Sequence, residues 1–108
     1  MMERLAVTAS SRLVLPAHVM LRHDKVRDRW FLLAPERLLD PDETALEIIR
    51  MLDGWKSVGD IVGALATKYA APADTILVDV VGMLQDLADK GFLIAAGAPA
   101  APMEARTT

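Results

Sequence analysis

Apolar positions recur with two different periods along the chain, and the change of period marks out its elements. His18 to His23 reads H-V-M-L-R-H and Arg29 to Ala34 reads R-W-F-L-L-A. Both are short runs rich in strand formers. With a turn near Asp24-Lys25 they predict an antiparallel hairpin. Pro35 lacks an N–H for a sheet ladder, so it marks a strand end or an edge. Arg37-Leu38-Leu39 follows as a very short third strand. The period then becomes helical. Asp40-Pro41-Asp42-Glu43 reads as a helix start, with Asp40 as N-cap, Pro41 at the first helical position and Glu43 closing an aspartate capping box. Ala45, Leu46, Ile48, Ile49 and Leu52 give this helix a broad apolar face, and Gly54 is its expected C′ residue. A second helix begins at Ser57, with Asp60 three residues on and Val58, Ile61, Val62, Leu65 and Tyr69 at helical spacing. A third runs from about Ala73, after Pro72, to about Lys90 and stops at Gly91. Phe92-Leu93-Ile94 is a candidate terminal strand or wing.

This order predicts an α+β fold, a small winged helix-turn-helix-like domain with N-terminal antiparallel β strands followed by three α-helices. Residues 16–94 are expected to form it. Residues 1–15 have scattered apolar positions and no clean period, and read as an N-terminal arm. The Ala/Gly/Pro/Thr-rich residues 95–108 read as a disordered C-terminal tail.

The 108 residues suffice for one core. The absence of cysteine rules out disulfides and thiolate metal sites and fits a reducing compartment. No stretch approaches the roughly 18 consecutive apolar residues of a membrane helix. Met-Met-Glu-Arg lacks the basic start and apolar run of a secretory signal. The expectation is a cytoplasmic protein without a membrane contact. The net charge of −3, from 12 basic and 15 acidic residues, builds no field for phosphates, so nucleic acid is not an expected partner. The third helix carries Asp74, Asp79, Asp86 and Asp89 against the single Lys90, a poor face for DNA.

Candidate chemistry is sparse. No G-x-S-x-G elbow, P-loop or H-E-x-x-H pair occurs. The expectation is therefore a binding protein and not an enzyme, with no cofactor, no metal and no catalytic residue. His18 and His23, five apart in one strand, should point to opposite faces and cannot share a metal. Capping accounts for Asp40, Asp42 and Glu43, and packing for Met51 and Met83. Of Trp30 and Phe31, one should face outward, and Trp55 should be partly exposed. Packing explains both tryptophans; a contact with a protein partner is the sharper alternative. The third helix has two apolar stripes, one of Ile76, Val80, Leu84 and Leu87 and a neighbouring one of Leu77, Val81 and Ala88. One can pack inward while the other lines a groove; which of them is free stays open.

Several stretches in order carry a family resemblance: Leu32-Leu33-Ala34-Pro35-Glu36-Arg37, Thr44-Ala45, Leu52-Asp53-Gly54, Lys56-Ser57-Val58, Asp60-Ile61-Val62, Leu65, Tyr69, Val78-Asp79-Val80, Leu84, Leu87 and Gly91-Phe92-Leu93. Together they resemble the PqqD family of pyrroloquinoline quinone (PQQ) biosynthesis, over roughly residues 14–94. One departure is that Asp40-Pro41-Asp42-Glu43 stands where the family has an asparagine shortly before Thr-Ala. The resemblance implies a peptide-recognition element that binds the ribosomal precursor peptide PqqA and presents it to the radical SAM enzyme PqqE, which crosslinks a glutamate and a tyrosine of the peptide. It further implies that the peptide adds as a strand to the sheet edge and packs on the third helix. On this chain that places Arg37, Leu38 and Leu39 at the edge, with Ile76, Val80, Met83, Leu84 and Leu87 on the helix. Short open edges do template strand addition. A structural homodimer or scaffold subunit is the alternative, with a DNA-binding winged helix less favoured.

Overall fold

The computed structural model describes residues 5–96. Its elements are β1 (Leu13–Val14), β2 (Met20–Asp24), β3 (Arg29–Ala34), β4 (Arg37–Leu39), α1 (Glu43–Arg50), α2 (Val58–Tyr69), α3 (Ala73–Asp89) and β5 (Ile94–Ala95). The α+β order of antiparallel strands followed by three helices is thus the one expected.

β2, β3 and β4 form an antiparallel sheet with β3 in the middle. In the β2–β3 turn the Asp24 carboxylate accepts from the Val26 and Arg27 N–H groups at 3.0 and 3.3 Å, an Asx-turn. Pro35-Glu36 makes the second turn, with Glu36 left-handed at φ 64°. The expected strand from His18 begins later, at Met20, because the Pro16 carbonyl accepts the Val19 N–H at 3.0 Å and turns the chain there. His18 is exposed in that turn.

Asp42, and not Asp40, caps α1. Its carboxylate accepts from the Ala45 N–H at 2.8 Å, while Asp40 is drawn away by Arg29 at 2.6 Å. Pro41 therefore precedes the cap. The helix also ends before the expected Gly54, with Met51 as its C-cap. Gly54 sits in the following loop at φ 84°, and a Cβ there would meet Val14 Cγ1 at 2.9 Å. α2 starts as expected: the Ser57 hydroxyl accepts from the Asp60 N–H and the Asp60 carboxylate accepts from the Ser57 N–H, both at 3.0 Å. α3 closes with a Schellman motif. The Phe92 N–H bonds the Leu87 carbonyl at 2.9 Å and the Gly91 N–H bonds that of Ala88 at 3.0 Å, with Gly91 left-handed at φ 87°.

Leu32 lies fully buried at the centre of the sheet's inner face, with Ile48 and Ile49 of α1, Val58, Ile61, Val62 and Leu65 of α2, and Val80, Leu84 and Leu87 of α3 completing the core. Phe92 and Leu93 belong to this core as well, so the terminal strand is Ile94–Ala95 and not Phe92–Ile94.

Residues 5–15 do not stand apart as an arm. Val7 and Leu13 are core residues. Leu13 and Val14 pair with Ala95 and Ile94, so residues 95 and 96, expected in a disordered tail, are part of the folded structure; residues 97–108 lie outside the described residues. The arm also completes the start of α2. A helix leaves its first N–H groups without partners; here the Val58 N–H goes to the Ser11 carbonyl and the Gly59 N–H to that of Ala9, each at 2.8 Å. Farther out, Gln85 of α3 holds the arm by its backbone, accepting from the Val7 N–H at 2.9 Å and donating to the Leu5 carbonyl at 2.7 Å. Two neutral, part-buried hydrogen bonds of about 1 kcal/mol each make Gln85→Ala an informative change. It should lower stability by about 2 kcal/mol and remove exchange protection of the Val7 amide. Retained protection at Val7 would show that the arm is held by packing alone.

Candidate functional site

Among the described residues the sheet has two edge strands, β2 and the shorter β4. β4 pairs with β3 in the register Leu32–Leu39, Leu33–Leu38 and Ala34–Arg37, and no strand lies on its other side among the described residues. Side chains alternate along it. Leu39 shares the inner row with Leu32 and is half-buried, whereas Arg37 is exposed and Leu38 points to the outer face, 63% exposed.

On α3 the structure decides between the two stripes only in part. Val80, Leu84 and Leu87 are all core residues, Leu84 having no exposed surface at all. Leu84 and Leu87 are therefore withdrawn as peptide contacts: their methyl groups already fill the interior. The neighbouring stripe, Leu77, Val81 and Ala88, is half-buried and lies by helical spacing on the flank where Gln85 holds the arm. The opposite flank carries Ile76 and Met83, also half-buried. Ile76, Asp79 and Val80 there line a groove of about 270 Å³ together with Thr44 and Ile48 of α1 and Leu65 and Tyr69 of α2. None of Arg37, Leu38 and Leu39 lines this groove, nor does Met83; the strand edge and the helical groove are two separate features.

The groove rim is held by charge. Glu47 of α1 accepts from the Tyr69 hydroxyl at 2.6 Å and from the Lys68 ammonium. The Lys68 bond first, then that of Tyr69, hold the Glu47 carboxyl below its ordinary range. Glu47 in turn raises both Lys68 and the Tyr69 phenol. The Tyr69 ring is thereby tethered to α1 across the groove mouth. Thr44, Tyr69 and Asp79 were missed as site residues by sequence reasoning. All three stood among the family positions, and the one signal for Gln85 was an uncharged polar residue inside an otherwise apolar helix face.

The aromatic residues divide. Trp30 turns to the inner side of the hairpin, under the Arg50 guanidinium at 4.7 Å and beside the His23 ring at 4.9 Å. Phe31 takes the outer face. Trp55 is 82% exposed on a loop where Asp53 accepts from the Trp55 and Lys56 N–H groups, each at 2.9 Å. These bonds and the Lys56 ammonium hold the Asp53 carboxyl far below its ordinary value, the ammonium contributing most. No group of three or more His, Cys, Asp or Glu side chains suited to a metal occurs among the described residues, and none of their helices is long and apolar enough to cross a membrane.

Comparison with known proteins gives a consistent picture. Residues 29–93 match the family described as coenzyme PQQ synthesis protein D (PqqD). A PqqA binding protein of Bradyrhizobium diazoefficiens is 55% identical over 82% of this chain and 86% of its own length. One of Rhodopseudomonas palustris is 54% identical over 83% and 88%. Among solved structures, the PqqD truncation of Methylobacterium extorquens PqqCD, a functional stand-alone recognition element for ribosomally synthesised, post-translationally modified peptides, superposes with a TM-score of 0.72. It is 39% identical, with 86% of this chain and 99% of that one covered. By the span of the family match and the closeness of these relatives, the chain belongs to the PqqD family.

Proposed function

We propose that this protein binds the precursor peptide PqqA and presents it to the radical SAM enzyme PqqE in PQQ biosynthesis, the peptide adding as a strand to the free edge of β4 and continuing onto α3. The names of the relatives support PqqA as the ligand. The open edge of β4 is the observation that carries the binding mode. Its unpaired backbone groups supply sequence-independent hydrogen bonds, and side-chain pockets supply selectivity. Arg37, Leu38 and Leu39 form that edge, Ile76 and Met83 mark the flank of α3 left clear by the arm, and the core residue Val80 lies at the floor of the groove. About a dozen extended residues span roughly 40 Å, comparable with the longest dimension of the domain, 41 Å. One peptide segment of that length is able to engage both the edge and the groove.

Calorimetric titration with PqqA tests the reading directly. Saturable one-to-one binding is the expected result. A folded protein that takes up no PqqA would remove the peptide-carrier role and leave a scaffold role in its place.

A further inference from the structure

We infer that the outer face of the β2–β3–β4 sheet is a docking surface for an acidic patch, apolar at its centre, on the protein that receives the peptide. The inference rests on the presenting role proposed above and assigns it a face.

The inner face of the sheet is spent on the core through Leu32. The outer face holds Phe31 and Leu33 by strand alternation. The register sets Met20 opposite Leu33, Leu33 opposite Leu38, and Arg22 opposite Phe31. The result is an apolar row running across all three strands. Met20 and Leu38, at its ends, are 53% and 63% exposed. No element covers this row among the described residues, and a contiguous apolar patch with a polar rim is the usual mark of an interaction site.

The rim is cationic. The depression over Phe31, Leu33 and Leu38 is also bordered by Arg22, Lys25 and Arg27, with His23 and Asp24 beside them. Asp24 is engaged by the turn N–H groups and faces Arg27 at 3.8 Å. His23 bonds Asp28 at 3.0 Å. Arg22 and Lys25 have no ion-pair partner among the described residues. Residues 20–39 hold five cationic side chains against three acidic ones in a chain of net charge −3, so the positive charge is concentrated on this hairpin. Complementarity therefore calls for carboxylates around an apolar centre. A two-fold pairing of this face with a second copy would set Arg22 against the same cationic face, a like-charge cost that disfavours a second copy as occupant.

The test uses purified PqqE as the probe, with the full chain loaded with PqqA. Arg22→Glu and, separately, Met20→Glu change exposed positions on β2, away from β4 and α3. Wild-type affinity for PqqE should fall as salt is raised. Each folded variant should lose on the order of tenfold in that affinity while binding PqqA as wild type does. Unchanged PqqE binding by both folded variants would overturn the inference. So would an equal loss of PqqA binding, which would seat the peptide on this face. A wild-type dimer in light scattering that the variants abolish would make a second copy the occupant and overturn it too. If wild type binds PqqA but no PqqE, the presenting role falls and this inference with it; failure confined to the variants leaves that role standing.

Discussion

Leu84→Ala is expected to lower the unfolding free energy by about 3.5 kcal/mol, the middle of the range for emptying a buried leucine site. Leu84 has no exposed surface and sits in the single core cluster shared by the sheet and all three helices. Its neighbours belong to regular elements and cannot fully collapse into the space. Denaturant unfolding of wild type and variant measures the difference. At temperatures where the variant stays folded, its PqqA affinity should match that of wild type. A variant of near-normal stability with weakened peptide binding would return Leu84 to the binding surface and contradict the burial described here.

Ile76→Asp should have the converse effect. Ile76 is half-buried and lines the groove between α1, α2 and α3. It lies in the first turns of α3, where an acidic side chain suits the positive end of the helix dipole, so much of the fold's stability is expected to survive. A carboxylate in the groove must be desolvated to seat an apolar peptide side chain. PqqA affinity should drop by about tenfold or more, roughly 1.4 kcal/mol. Wild-type affinity in a folded Ile76→Asp protein would mean that the peptide does not enter the groove. Leu39→Asp, the obvious change at the strand edge, is a poor probe by comparison. Leu39 stands on the inner row opposite Leu32, so charging it disturbs the core as well as the edge.

Much of the fold could be read from local pattern. β3 and β4 begin and end where strand formers and Pro35 place them, and α2 begins at the Ser57–Asp60 box, because each of these signals acts through residues a few positions apart. The start of α1 was displaced by two residues because a distant residue intervened: Arg29 engages Asp40 and leaves Asp42 to cap. The arm was illegible for a related reason. Its anchoring bonds run from backbone groups to α2 and to the Gln85 amide, and backbone bonding leaves no hydrophobic period to detect. The site was legible as a list of candidates and not as a surface. Hydropathy gives both stripes of α3 similar weight. Only the packing of Val80, Leu84 and Leu87 into the core, and the arm's hold on Gln85, separate floor from flank.

The bonds between Gln85 and the arm join residues 78 and 80 positions apart in sequence, and β1 pairs with β5 across a similar span. Closing so long a loop costs chain entropy that only an assembled core can offset. The two ends of the domain should accordingly dock after the helices and the hairpin have come together, and detach first on heating. They also lie side by side where β1 meets β5, so a linker from residue 96 back to residue 5 can reconnect the chain while keeping Val7 in the core and the bonds of residues 5–11 to α2 and Gln85. A circular permutant joined there, with new ends in the exposed 25–28 turn, should retain both the open edge of β4 and the groove beside α3.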